Sequence, residues 1–434
     1  MIGADYQSIV SAISPLPTRR GLQLLLMTLV AWGGVYARFA VGPFQETLRV
    51  ALSLSDNQIG LLQGPALAMP AALASIPIGL MIDRCSRVRL VLLLTSLTLI
   101  GSLFTMFASG FILLFASRCV VGLTATATSI TVYALVADFY APAQRARATM
   151  VVAIGEVAGA ASAFAFGGLL IGWFGSEQNA WRWALICLLA PVVLVTFATI
   201  AMREAPRTDS KIVGSTTRSA LPELWRYRSM VGPLLAARIM VGIADGAALI
   251  WAAPTFSREF AITPERIGMI MGIVLFVSGL VGPIAGGLLM DLSQRIGGPR
   301  RAMSVLGGLA ALSVPGALFA VAPSVGSASV LLVIFITISN AIVVTVATLA
   351  TVIVPNELRG TCMATLFAGG LLFGVGLAPM AVSLLSGALG GPSAVGTALS
   401  SVCVITSFLG VVALTLGRRH FPSLEKSQNI MGYT

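Results

Sequence analysis

Twelve apolar runs, each long enough to cross a bilayer, decide what this chain can become. They fall at about 22–45, 58–82, 88–109, 111–138, 146–172, 181–202, 230–256, 265–290, 301–322, 327–354, 360–388 and 394–417. A helix needs roughly 20 apolar residues to traverse the hydrocarbon core. In lipid every backbone N–H and C=O must be bonded internally, so runs of this length are helices, and no alternating barrel pattern competes. With 57% apolar and 10% charged residues and a mean hydropathy of +0.95, a soluble globular fold is excluded. The expected class is all-α integral membrane, with twelve transmembrane helices in two six-helix bundles.

The division into two comes from an internal echo. The charged turn Gly79-Leu-Met-Ile-Asp83-Arg84-Cys-Ser-Arg87 follows the second run, and Gly287-Leu-Leu-Met-Asp291-Leu-Ser-Gln-Arg295 follows the eighth. Upstream, Ser55-Asp-Asn-Gln-Ile-Gly60 is echoed by Thr263-Pro-Glu-Arg-Ile-Gly268. Gly60 to Gly268, Gly79 to Gly287 and Asp83 to Asp291 share one offset, 208. A common register at three places marks two homologous, pseudo-symmetric halves. The expected organisation is a lead over 1–20, a bundle over 21–202, a linker over 203–229, a second bundle over 230–417 and a tail over 418–434.

The formal charge is +11, and its placement matters more than its size. Of 27 Lys and Arg, Arg49, Arg182, Arg258 and Arg266 fall on one side of the membrane, and Arg38, Arg118 and Arg238 lie inside runs. The rest fall on the other side, with both termini. That asymmetry predicts a multi-pass protein of the inner (plasma) membrane with cytoplasmic termini. No basic domain exists, so nucleic acid is not an expected partner. The five cysteines are scattered and His420 is the lone histidine, so neither a disulfide framework nor a metal site is expected. No nucleophile, metal cluster or acid–base pair points to an enzyme, and no cofactor is expected.

A charge at mid-bilayer costs about 2.5–3.5 kcal/mol, so such residues face a cavity or a partner. Helical rise places Arg38 and Arg118 at one depth in the half nearer the outside. Two arginines at one depth suit a carboxylate, phosphate or sulfonate; the alternative is that they pair with Glu46 and backbone carbonyls. Asn340 and Gln63 are uncharged pore candidates, and equally candidates for helix-to-helix bonding. Asp245 and Glu156, with Arg238 and Glu46, are the candidates for coupling to protons; static ion pairs are the alternative. At the repeated turns, Asp83 is placed to reach Arg145 or Arg147. With Gly79, Arg84, Arg87, Gly287, Asp291 and Arg295 it would form a latch that breaks when the halves rock.

Six plus six helices with charged turns after the second and eighth resemble the major facilitator superfamily, and Arg118-x-x-x-Gly122 is similar to a further mark of it. Leu54-Ser-Asp56-Asn-Gln58-Ile-Gly60, Asp138-Phe-Tyr-Ala-Pro142 with Arg145-Ala-Arg147, Trp251-Ala-Ala-Pro-Thr-Phe and Val354-Pro355 with Arg359 resemble its Spinster branch. The resemblance implies that helices 1, 4, 7 and 10 line a cavity, and that a monomer moves a substrate by alternating access. It also exposes departures. Ala37 stands where the branch carries an Asp before Arg38, Ala125 stands at a glutamate position, and Ala163-Phe164 replaces the Gly-Pro of drug antiporters. The reading that follows is a transporter of a small or amphipathic, lipid-like organic anion held by Arg38 and Arg118, with protons as a candidate second partner. The alternatives are a multidrug proton antiporter, and a lipid scramblase or sensor in a transporter fold.

Overall fold

The computed structural model describes residues 18–175, 179–204 and 222–421. The expected lead, most of the linker and most of the tail lie outside the described residues. Among the described residues, ten helical stretches are long and apolar enough to cross a bilayer. One, residues 264–321, turns at Gly298 and passes twice. Pro65–Arg84, a further helix of 20 residues, supplies the remaining pass of twelve.

We number the helices α1 (Thr18–Phe39), α2 (Gln45–Ala51), α3 (Asp56–Gln63), α4 (Pro65–Arg84), α5 (Arg87–Met106), α6 (Phe111–Phe139), α7 (Pro142–Phe174) and α8 (Ala180–Ala198). The second half holds α9 (Arg228–Phe260), α10 (Pro264–Gly316), α11 (Val325–Ile353), α12 (Asn356–Gly369), a π-helical segment (Gly370–Leu377), α13 (Ala378–Leu389) and α14 (Val395–Gly417). Successive turns alternate between two ends of the bundle, called here the Ser55 end and the Ser86 end.

Local chemistry explains where the helices start and stop. Ser55 caps α3: its Oγ accepts from Gln58 N at 3.2 Å, while Gln58 Oε1 accepts from Ser55 N at 2.9 Å. Ser324 and Ser327 do the same for α11. Ser86 caps α5, and the Glu204 carboxylate adds to it, accepting from Ser86 Oγ at 2.6 Å, Arg87 N at 2.9 Å and Val88 N at 3.0 Å. A carboxylate on two orphan backbone donors of a helix amino end, beside the cap hydroxyl, is favoured by the backbone dipole. The first apolar run, expected unbroken to 45, ends as α1 at Phe39 and gives way to a 3-10 turn, Gly42–Phe44. Pro43 cannot donate to a continuing ladder.

Two expectations are corrected. The repeated turns are not loops: Gly79 to Arg84 forms the last turns of α4, and Gly287 to Arg295 is helical within α10. The chain reverses only at Cys85–Ser86 and at Gly298, whose φ of 66° suits glycine. Nor is the second run, expected over 58–82, one unbroken helix. The break falls at Gly64, where α3 meets α4.

Candidate functional site

A cavity of about 50 Å³ sits between the halves. Arg38, Gln45, Gln63 and Phe164 line it from the first half, and Gly246, Leu249 and Val375 from the second. Gln45 is the residue sequence reasoning passed over. It ends the first apolar run, and the Gly42-Pro43 turn swings it inward. Its amide Nε2 is buried and has no hydrogen-bond partner. Gln45 Oε1 accepts from Gln63 Nε2 at 3.5 Å, and Gln63 Oε1 accepts from Arg118 Nη2 at 3.1 Å. The same Arg118 nitrogen donates to the carbonyl of Arg38 at 2.7 Å.

Arg38 and Arg118 are thus neighbours at one depth, with different jobs. Arg118 is 1% exposed and points into the interior of the first half, behind the cavity wall. It holds the Arg38 backbone and Gln63 in place, which corrects the expectation that both arginines face the cavity. The Arg38 guanidinium lines the cavity itself, over the Phe39 ring at 5.9 Å. No described residue accepts a hydrogen bond from it. Its expected partner Glu46 is committed elsewhere, and Glu156 reaches it only through its field.

The other expected residues divide among separate places. Glu156 accepts from Tyr133 Oη at 2.8 Å across the α6–α7 seam. Asp245 is off the cavity wall: its Oδ1 is buried without a partner, and it feels the charge of Arg238. The Arg238 guanidinium lies over the bare backbone of Gly370, where a side chain would collide with it. That contact is on the π-helical segment, whose wider turn lets Gly374 approach Gly246 of α9. Asn340 donates to Ser278 O at 3.4 Å and packs beside Gly282, so it joins α11 to α10 and is not part of the central cavity's lining.

Glu46 belongs to an ionic cluster at the Ser55 end, which corrects its expected place near the coupling residues. Arg258 of the second half donates to Glu46 Oε2 at 2.9 Å and, through both terminal nitrogens, to Asp56 at 2.8 Å. Arg49 bonds Glu46 from the first half at 2.6 Å. An arginine on the side poor in positive charge was the available signal for this cluster. Glycines close the same end. A Cβ at Gly64 would come within 2.6 Å of Gly376 O, and one at Gly168 within 2.8 Å of Gly268 Cα. Beyond the closure, a crevice of about 740 Å³ shares Gly42 and Gln45 with the central cavity.

The Ser86 end is held differently. Arg87 pairs with Asp138 and donates to Ala134 O at 3.0 Å, within one half. Arg145 Nε donates to Tyr140 O at 3.0 Å, and Arg359 repeats the pattern on Val354 O at 3.3 Å. These bonds of Arg87 and Arg145 stay within their own half. Asp291, Arg295, Arg84 and Arg147 are exposed; the side chain of Asp83 lies outside the described residues. A Cβ at Gly79 or Gly287 would meet nothing within 4 Å. Among the described residues, the ion pairs that join the two halves, Arg258 to Glu46 and Asp56, lie at the Ser55 end.

Comparison with known proteins agrees with this architecture. The sequence profile described as Major Facilitator Superfamily matches residues 24–367. The chain is 25% identical over 194 residues to YfiG of Bacillus subtilis (strain 168), named as a metabolite transport protein, covering 43% of this chain and 40% of that one. It is 29% identical over 142 residues to the major myo-inositol transporter IolT of the same organism, covering 33% and 30%. These matches span less than half the length of either relative. Among solved structures, a bacterial homologue of the human lysosomal transporter Spinster, inward-facing and unoccupied, superposes with a TM-score of 0.77. Its sequence is 22% identical, covering 96% of this chain and 98% of that one. A D-xylose–proton symporter gives 0.68 at 15% identity, covering 89% and 96%. At these identities the structural likeness is one of fold.

Proposed function

The chain belongs to the Major Facilitator Superfamily and is a multi-pass membrane transporter; from that premise we propose that it moves a small or amphipathic organic anion by alternating access. The observation that carries this reading is the Arg38 guanidinium, set in the wall of a cavity between the halves with no acceptor among the described residues. Beside it, Gln45 Nε2 is a second donor without a partner. An unsatisfied charged donor in a membrane interior is costly, and a carboxylate or phosphate oxygen would satisfy both groups. About 50 Å³ holds water rather than a metabolite, so the cavity must widen to take a substrate. Substrate would enter as the halves rock apart.

In this reading the Ser86 end faces the cytoplasm, in keeping with the excess of arginine there. The conformer is then inward-facing, its outer end held by Arg258, and the protein works as a monomer. Coupling to protons falls to Asp245 or Glu156, the carboxylates left inside the bundle once Ala37 and Ala125 displace the branch's own. In proteoliposomes, Asp245→Asn or Glu156→Gln should flatten the pH dependence of uptake. A profile unchanged in both variants removes them from the mechanism.

The amides of Gln45 and Gln63 favour a second reading, a neutral polyol, since paired amides suit hydroxyl groups and the named relatives include transporters of myo-inositol and D-xylose. Arg38→Ala separates the two. For an anion, uptake should fall about 100-fold, the loss of a charge-assisted pair worth about 3 kcal/mol, while Arg38→Lys keeps part of it. A polyol carrier would lose no more than a few-fold. Equal, small effects on candidate anions and polyols in flux assays would end the anion reading.

A further inference from the structure

The Ser86 end carries a second feature, remote from the central cavity. An open groove of about 460 Å³ runs beside the turn at Gly298, lined by Gly297, Arg300, Arg301, Ser304, Val305 and Arg418. The backbone builds it. Gly298 takes φ 66° and reverses α10, so that Arg300 and Arg301 fall on the first turn of the next pass. The stem of Arg301 lies along bare Gly297, where a Cβ would stand 2.8 Å from Cδ. The end of α14 closes the other wall. Gly417 packs its backbone against Pro233, near Met303, and this brings Arg418 beside α10.

Three guanidinium groups therefore share one groove. No described carboxylate pairs with Arg300, Arg301 or Arg418, although ion pairs are formed elsewhere in the molecule. Like charges gathered without a counter-charge repel one another, and an outside anion relieves that repulsion. The surface beside the groove says which kind. Leu312 lies on the face of α10 that carries Arg301 and Val305, and is large, apolar and exposed. In a membrane-spanning chain such residues meet acyl chains. A cationic rim directly beside an acyl-facing wall matches a molecule with a phosphate head and hydrocarbon tails.

We propose that this groove binds an anionic phospholipid from the leaflet at the Ser86 end, its phosphate between Arg300, Arg301 and Arg418 and its acyl chains along the face of α10 that carries Leu312. Arginine forks suit phosphate oxygens, and basic pockets between spanning helices attract anionic headgroups. The site is independent of the transported substrate, and Arg38 takes no part in it.

The test is native mass spectrometry of the full chain in an uncharged maltoside detergent, titrated with phosphatidylglycerol, phosphatidylcholine or inorganic phosphate. Phosphatidylglycerol should be retained about tenfold more than phosphatidylcholine. The combined Arg300→Gln, Arg301→Gln, Arg418→Gln variant should bring the two lipids level. Equal retention of both lipids by the native chain, or an undiminished preference in the variant, overturns the proposal. If inorganic phosphate displaces phosphatidylglycerol at equal concentration, the groove is a free-anion site and the lipid assignment fails. Should the combined variant not remain monodisperse, Arg418→Gln alone decides: a drop of about threefold is expected, and unchanged retention counts against the lipid.

Discussion

Arg258→Ala is expected to open the Ser55 end, shifting the conformer balance by about 30-fold. Arg258 reaches across from the second half to two carboxylates of the first, Glu46 and Asp56, and grips Asp56 with both terminal nitrogens. The side chains of Arg258 and Asp56 are 12% and 11% exposed, so this pair is largely withdrawn from water. Removing one partner of a buried pair costs about 3–5 kcal/mol. Here the cost is smaller, because Glu46 is 25% exposed and retains Arg49. A remainder of about 2 kcal/mol corresponds to the 30-fold shift. The cost falls only on the conformer closed at this end, since parted halves leave each charge hydrated. Arg258→Lys, which keeps the charge but not the fork, should give an intermediate shift. Electron–electron distance measurements between spin labels at Val50 and Met269, both exposed near this end, read the balance directly. A distance distribution identical to that of the unsubstituted protein would show that the cluster does not hold the gate.

Much of this architecture was legible because the bilayer leaves a chain few options. Helix boundaries such as 111–138 against Phe111–Phe139 follow from the length of apolar sequence that lipid demands. Arg38 and Arg118 could be set at one depth from helical rise alone, and the 2.7 Å bond between them agrees. What sequence could not settle was direction. Two residues at one depth can face opposite ways, and Arg118 turns into its own half while Arg38 turns to the cavity. Glu46 illustrates the same limit. Its charge was visible, but its partner Arg258 lies 212 residues away, and only the packing of the halves brings them together. Gln45 was hidden by a neighbour's effect: the Gly42-Pro43 break reorients it, and a run counted only by hydropathy passes straight through that break.

The repeated glycines carry the other large effect. Gly60 and Gly268, related by the 208-residue offset, occupy equivalent contacts across the two halves. Gly60 of α3 lies against α13, and a Cβ there would stand 3.1 Å from Ser383 Oγ and 3.2 Å from Pro379 O. Gly268 of α10 lies against α7, where a Cβ would stand 2.5 Å from Phe164 O and 2.8 Å from Gly168 Cα. The duplicated motif is thus a duplicated closure, each half presenting bare backbone to the other, as close helix approach in lipid requires. The two sites differ in tightness, and that difference makes a graded prediction. At Gly268 the obstructing atoms are backbone and cannot rotate away, so Gly268→Ala should prop the Ser55 end open. Overpacking of this kind costs about 1–3 kcal/mol, a shift of about tenfold or more in the same label distances. At Gly60 the nearest atom is a rotatable hydroxyl, so Gly60→Ala should move the balance in the same direction but only a few-fold. Gly287→Ala should not open this end, because nothing lies within 4 Å of its Cβ; any crowding it meets in the alternative conformer acts in the opposite direction. If all three substitutions opened the Ser55 end equally, crowding between the halves would not be the force that sets the balance, and the repeat would owe its glycines to something other than closure.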